Sequence, residues 1–387
     1  MKFEYNPRYP SVEDLRKKAR ARIPGFAFDY LDGGCNEEIN LIKNTSEIRK
    51  IELMPEYLKK YSGIDMKTEL FGHMYDAPFG IAPIGLQGLI WPNSPEILAK
   101  AAFDHNIPFI LSTVSTSSIE RISEITEGKA WFQLYHPAHN SLRDKILQRD
   151  EAARCPVLVI LSDVPSFGYR AKEIRNGLAM PPRMTMKNVL QILSRPSWAF
   201  TTLMHGQPSF QTLRPYIPKG MNMHHLGLFM NKTFDGRLNS EKVAEIRSKW
   251  KGKLVLKGIV NEADVVKAIQ LGIDGIIVSN HGGRQLDAGE SAIKSLTRIA
   301  ENYKDKIKIM MDSGLRSGPD IARALASGAA FTFLGRSFMY GAAALGKQGG
   351  NHTIAILKTQ LQQVMQQICC ERVEDLPNHF IRNSSQL

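Results

Sequence analysis

Residues Val278 to Asp287 (Val-Ser-Asn-His-Gly-Gly-Arg-Gln-Leu-Asp) put a histidine and an arginine three positions apart on a polar turn. Apolar Gly275-Ile276-Ile277-Val278 runs into that turn and reads as a short buried strand. His281 suits proton transfer near neutral pH. The planar fork of Arg284 suits a carboxylate or a phosphate. Gly282 and Gly283 let the backbone bend sharply and approach a ligand. A helix start with a surface arginine is the commoner meaning of so short a motif, so the surrounding elements must decide.

Those elements repeat. Phe79–Pro83, Phe109–Ser112, Ala130–Tyr135 and Val157–Asp163 read as buried strands, with helices over Ser94–His105, Ser118–Ile125 and Ser141–Ala153 between them. After a long excursion come strands at Leu254–Lys257, Gly275–Ser279, Ile307–Asp312 and Phe331–Gly335. Helices fit Asn261–Leu271, Ala292–Asn302, Gly318–Ser327 and Gly335–Gly346. Eight alternating units of largely apolar strands predict an α/β chain, a single (β/α)8 TIM barrel. Ionisable or polar residues fall at strand after strand on the C-terminal side: Gln133 and Tyr135, Asp163, Lys257, Ser279 and His281, Asp312, Gly335 and Arg336. In this fold those ends line one mouth, where active sites are built. The coincidence favours a site over a set of turn residues.

The last two loops suggest the ligand. Asp312-Ser313-Gly314-Leu315-Arg316 and Leu334-Gly335-Arg336 are glycine-containing turns opening onto helices. Their N–H groups and the two arginines predict a phosphate site, hence a phosphorylated cofactor. No Gly-x-Gly-x-x-Gly follows a strand, which argues against a dinucleotide fold. Gly341–Gln348 mimics a phosphate loop but has Gln348 in place of the required Ser or Thr, and reads as a helix end.

The 387 residues, 43% hydrophobic and 23% charged, suit a globular enzyme with a large core. The four cysteines have no paired metal spacing, so no metal is expected. No leader-like segment or membrane-length apolar run is present, which predicts a cytoplasmic protein. Ser11–Ile23 reads as an amphipathic helix in an N-terminal helical extension, followed by a short helix that glycine stops at Phe26–Gly34. The basic cluster of the first helix lacks interleaved aromatics, so nucleic acid is not an expected partner.

The net charge of +12 is unevenly placed. The excursion between strands four and five, 174–235, has no Asp or Glu from Ile174 through Phe234, but carries Arg175, Arg183, Lys187, Arg195, Arg214, Lys219 and Lys232. With Trp198, Phe200, Phe210, Tyr216, Phe229 and several methionines, it has the composition of a segment that meets an anionic bilayer. The competing reading is a loop that folds back on the barrel or lines a subunit contact.

Nine segments stand together in one order: Phe28–Gly34, Ile81–Leu86, Leu111–Thr113, Trp131–Tyr135, Gly168–Arg170, Val255–Gly258, Ser279–Asp287, Asp312–Arg316 and Leu334–Arg336. In them the chain resembles the FMN-dependent L-2-hydroxy-acid oxidase and dehydrogenase family, nearest its membrane-associated L-lactate and (S)-mandelate branch. The resemblance implies one catalytic domain over 1–387, with FMN as cofactor. His281 would be the base and Asp163 its stabiliser. Arg170, Arg284 and Tyr30 would hold the substrate carboxylate, and Tyr135 its hydroxyl. Lys257 would sit by flavin N1 and O2. Pro83, Ile84 and Gly85 would also bind the cofactor; Ser112, Gln133 and Ser279 would meet its ring or ribityl chain, and Asp312, Gly314, Arg316, Gly335 and Arg336 its phosphate end. A homotetramer on the inner face of the cell membrane, passing electrons to a quinone or other respiratory-chain acceptor, is also implied.

Four positions depart from the family pattern. Leu161 stands where many relatives have threonine, Val114 where glycolate oxidases have tryptophan, and Ala171 where an acid is frequent. Gly85 is often alanine in oxidases and glycine in dehydrogenases, which favours a dehydrogenase of L-lactate or (S)-mandelate. The alternatives are a soluble oxidase releasing hydrogen peroxide, and a catalytically silent basic barrel that binds membrane and carries no flavin.

Overall fold

A computed structural model of the chain describes residues 5–178, 184–217, 233–234 and 237–381. Eight parallel strands form its centre: β1 Phe79–Ile81, β2 Ile110–Ser112, β3 Trp131–Leu134, β4 Val157–Leu161, β5 Lys253–Ile259, β6 Gly275–Val278, β7 Lys308–Met311 and β8 Phe331–Leu334. Neighbours pair in sequence from β2 through β8, and β8 pairs back onto β1. A single parallel bridge, Ile81 to Phe109, joins β1 to the segment entering β2 and closes the barrel. The expected (β/α)8 fold is therefore present, with strand and helix ends within a few residues of those read from sequence.

Strand alternation decides which residues face the axis. Ile110, Trp131, Val159, Val255, Ile277, Met310 and Phe333 share one inner cluster. Their outward neighbours Leu111, Phe132, Ile160, Leu256, Ile276, Ile309 and Leu334 pack under the helices. Two residues past each inward position the chain places Ser112, Gln133, Leu161, Lys257, Ser279, Asp312 and Gly335. One parity thus brings them all to the C-terminal end of the barrel. A hairpin that sequence reading missed, Thr68–Leu70 with His73–Tyr75, plugs the opposite end. Its Phe71 and Tyr75 rings meet Trp131 and Phe331, the first residues of β3 and β8.

The N-terminal extension contains helices Val12–Arg22, Gly25–Asp32 and Ile39–Ile48. The first is started by a capping box between Ser11 and Asp14. Helix Arg336–Leu345 runs through most of the phosphate-loop mimic and ends in one 3-10 turn at Gly346–Gln348, in agreement with the helix-end reading. A further helix, Gly349–Gln367, packs behind it. The excursion is more ordered than a loop, because its described part contains helices Met186–Leu193 and Pro196–His205. Trp198 and Phe210 are buried, and Trp198 Nε1 donates to the carbonyl of Ile90 at 3.1 Å. Arg183, Lys219, Phe229 and Lys232 lie outside the described residues.

Candidate active site

The turn after β6 is built for close approach. His281, Gly282 and Gly283 take left-handed φ values of 59°, 66° and 72° in succession. The two glycines adopt this freely, while His281 holds it as a non-glycine residue. A Cβ on Gly283 would lie 2.5 Å from the Leu41 backbone nitrogen, so no larger residue fits there. Asn280 accepts from Gly283 N at 3.1 Å and donates to Asn44 Oδ1 at 2.7 Å, tying the turn to helix Ile39–Ile48. Asp287 closes the same junction by accepting from Asn40 N at 3.0 Å, at the start of that helix.

His281 Nδ1 stands 3.1 Å from Asp163 Oδ1. Donation from Nδ1 leaves Nε2 as the acceptor of a proton. Burial holds the imidazole below its ordinary range; Asp163 opposes this, and the charges of Lys257 and Arg170 add to it. Burial pushes the Asp163 carboxyl up, but His281 and then Lys257 draw it down further, so it stays ionised. The β5 strand shifts register between Lys257 and Ile259, leaving Gly258 at a φ of 101°. A Cβ there would lie 2.5 Å from Asp163 Cβ. The missing side chain lets Asp163 pack against β5.

Lys257 Nζ donates to Ser279 Oγ at 2.8 Å and lies 2.9 Å from Asp312 Oδ2. Burial favours the neutral amine, but Asp312 and Asp163 outweigh it and keep the ammonium charged. Across the mouth, Arg284 Nη1 donates to the carbonyls of Tyr30 and Gly33 at 2.7 and 3.1 Å. Its Nη2 donates to Glu173 at 2.7 Å, and Arg170 reaches the same carboxylate at 3.4 Å. Tyr30 donates its hydroxyl to Gly85 O at 3.3 Å. Burial raises the Tyr135 phenol well above its ordinary range, and Asp163 adds to the effect, so the hydroxyl keeps its proton.

Arg336 donates to the carbonyls of Leu31, Gly282 and Gly33 at 3.0, 3.0 and 2.8 Å. Burial, then Arg316 and Arg284, push its pKa down to about 9. Like charges held together out of water are the environment that a phosphate dianion relieves. Arg316 and Asp312 line the same end, with Gly314 turning between them at a φ of 90°.

These groups surround a cavity of about 570 Å³. Tyr30, Pro83, Ile84, Gly85, Ser112, Gln133, Tyr135, Arg170, Lys257, His281, Arg284, Asp312, Gly314, Arg316, Gly335 and Arg336 all line it, as do the departures Val114 and Leu161. Two expected residues do not. Asp163 stands behind His281. Ser279, expected against the cofactor, is fully buried and turns its hydroxyl to Lys257 and to the His281 amide, so it holds Lys257 in place. Glu173 lines the cavity and was missed by sequence reading. Its only signal was its position, as the last acid before the acid-free stretch. The cavity fits FMN on its own chemistry. Gln133 Nε2 is buried there with no hydrogen-bond partner among the described residues, Lys257 gives a fixed cation beside the inner wall, and two arginines mark the phosphate end.

The chain is similar to known proteins over nearly its whole length. An L-lactate dehydrogenase of Haemophilus influenzae (strain PittEE) is 35% identical over 378 residues, 97% of this chain and 99% of its own. One of Ectopseudomonas mendocina is 37% identical over 355 residues, 91% and 93% of the two chains. The crystal structure of the monotopic membrane protein (S)-mandelate dehydrogenase superposes with a TM-score of 0.91 at 32% identity, covering 96% of this chain and 99% of that one. The pattern that defines the FMN-dependent dehydrogenases spans residues 19–383, and with the cradle just described it places the chain in that family, as an FMN flavoprotein oxidoreductase.

Proposed function

We propose that the protein oxidises an L-2-hydroxy acid, with L-lactate first among candidates, to the 2-oxo acid. The observation that carries this reading is the placing of His281, backed by Asp163, in one cavity with the Arg170–Arg284 pair. The two guanidiniums take the substrate carboxylate, which orients the α-carbon toward His281. Tyr30 assists them, and the protonated Tyr135 hydrogen-bonds the substrate hydroxyl. His281 Nε2 accepts the substrate proton, and Asp163 stabilises the imidazolium that results. FMN, when bound, supplies the two-electron acceptor. Lys257, steadied by Ser279 and Asp312, would set a positive charge against the flavin. Gln133 and Ser112 would face the ring or ribityl chain, Pro83, Ile84 and Gly85 would line the cofactor's place beside them, and Gly314, Arg316, Gly335 and Arg336 would hold the phosphate. Lactate is favoured because the lactate dehydrogenases above match nearly end to end.

(S)-Mandelate is the second reading, favoured by the 0.91 superposition and by the apolar wall of Val114, Ile174, Leu178 and Phe210. The electrons pass on to a quinone or other membrane carrier, and the excursion 174–235 makes the membrane contact. Helix Met186–Leu193 supports this with an outward apolar stripe. Met186, Val189, Leu190 and Leu193 are all exposed at i, i+3, i+4, i+7 spacing, beside Phe200 and Leu203 of the next helix and exposed Lys187. Among the described residues no helix is long and apolar enough to cross a membrane. Anaerobic flavin bleaching with a panel of 2-hydroxy acids tests the substrate. Stopped-flow reoxidation tests the acceptor: rapid peroxide formation from oxygen would overturn the dehydrogenase reading. Pelleting with anionic vesicles tests the contact.

A further inference from the structure

Glu173 does more than line the cavity. Helix Ala171–Arg175 carries it inward, and its side chain is 13% exposed. Its Oε1 accepts from Arg284 Nη2 at 2.7 Å, and both its oxygens face Arg170 Nη1 at 3.4 Å. The remaining contacts show what this carboxylate organises. Arg284 Nη1 is committed to the Tyr30 and Gly33 carbonyls, and Arg170 Nη2 lies 3.3 Å from Gln285 Oε1. Arg170 Nε is buried with no hydrogen-bond partner among the described residues. Each guanidinium is therefore held from one side, and donors are left over for an incoming anion.

Charge counting leads further. Two arginines facing one substrate carboxylate leave a buried cation over, which is costly. With Glu173 the bound set has two cations and two anions. We propose that Glu173 is a positioning residue for the substrate carboxylate, clamping Arg284 to Arg170 in the one arrangement from which a carboxylate is held productively, at the expense of some carboxylate affinity. The proposal rests on the reading of those arginines as the substrate site.

The opposed effects make it testable. In the FMN-loaded enzyme, Glu173→Gln removes the competing charge but releases the clamp. Pyruvate, followed by its perturbation of the flavin absorbance, is expected to bind about tenfold tighter, the scale of one uncompensated charge several ångströms away at intermediate dielectric. At the same time kcat for L-lactate falls about 10- to 100-fold, because the α-carbon is no longer fixed before His281. Glu173→Asp keeps the charge but shortens the reach, so pyruvate affinity returns toward the native value while kcat recovers only in part. Unchanged kcat and unchanged pyruvate affinity in Glu173→Gln would overturn the proposal. Weaker pyruvate binding accompanied by FMN loss would also overturn it, by making Glu173 a purely structural support. If the native enzyme's flavin is bleached by no 2-hydroxy acid, the functional reading itself fails. Bleaching in the native enzyme with no difference in the variants sinks only the role of Glu173.

Discussion

The hydrogen bond between Asp163 Oδ1 and His281 Nδ1 joins residues 118 positions apart, and the second Asp163 oxygen has no hydrogen-bond partner among the described residues. The carboxylate therefore serves the imidazole and, through space, the Lys257 charge. Such a pair fixes the tautomer and orientation of the base before substrate arrives.

Replacing the base tests this directly. His281→Gln keeps a polar side chain of similar reach and should retain FMN, while turnover with every 2-hydroxy acid falls by about 10²- to 10⁴-fold. Undiminished kcat with a full flavin spectrum would refute the assignment.

The same pair sets an expected pH profile. A base must be neutral to accept a proton, and burial holds the His281 pKa below 6.5 in the folded protein. In kcat/KM, which reports the free enzyme, activity should persist as pH falls through 6.5 and decline only at more acid values. An acid limb centred at or above 6.5 would contradict this.

Gly258 should be intolerant of even one carbon. A methyl there would meet Asp163 Cβ at 2.5 Å and Cγ at 2.6 Å. Gly258→Ala is expected to displace Asp163 from His281 and lower kcat by at least about tenfold, a 1 Å misplacement being worth up to ~10²-fold. Circular dichroism should still report the barrel.

Lys257 is paired, and its removal strands its partner. Lys257→Met leaves Asp312 as a nearly buried carboxylate facing an apolar chain. The loss expected is about 3–5 kcal/mol of stability, with weaker FMN retention, measurable by denaturant unfolding and by the flavin-to-protein absorbance ratio.

Away from the mouth, Asp150 is a buried carboxyl that meets the Cys155 thiol, and burial pushes its pKa up to about 8. The folded state then binds a proton that the unfolded chain releases near pH 4. Stability linked to this group is intact below pH 4 and drains away as pH rises toward 8. Asp150→Asn should therefore raise the melting temperature little at pH 5 and more with each step to pH 8.5. A constant difference across that range would refute the linkage.

Most of the barrel was legible because buried parallel strands are continuous apolar runs separated by polar turns, and because inward parity carries polar residues only past the last apolar layer. Gln133, Lys257 and Asp312 were found that way. The hairpin Thr68–Tyr75 was not, since two three-residue strands give almost no periodic signal, and its aromatic plug depends on contacts with β3 and β8. Ser279 was assigned to the cofactor by the resemblance, and the fold adds what the sequence did not carry: its hydroxyl accepts from Lys257 Nζ and from the His281 amide. Glu173 escaped notice because an acid beside basic residues is ordinarily a solvated helix pair, and only the fold brings Arg284 to it. The excursion read as apolar and basic, but whether its apolar groups faced in or out required the structure: Trp198 turns in, Leu190 and Leu193 turn out.

Arg336 grips the carbonyls of Leu31 and Gly33, more than three hundred positions upstream, and Arg284 grips Tyr30 and Gly33 from the sixth strand's turn. During synthesis, then, the first helices leave the ribosome long before the arginines that fasten them. The cofactor cradle has no complete wall until β8 and the residue after it have emerged. FMN capture is consequently expected only late in synthesis, and a polypeptide stopped short of residue 336 is expected to be colourless as well as inactive.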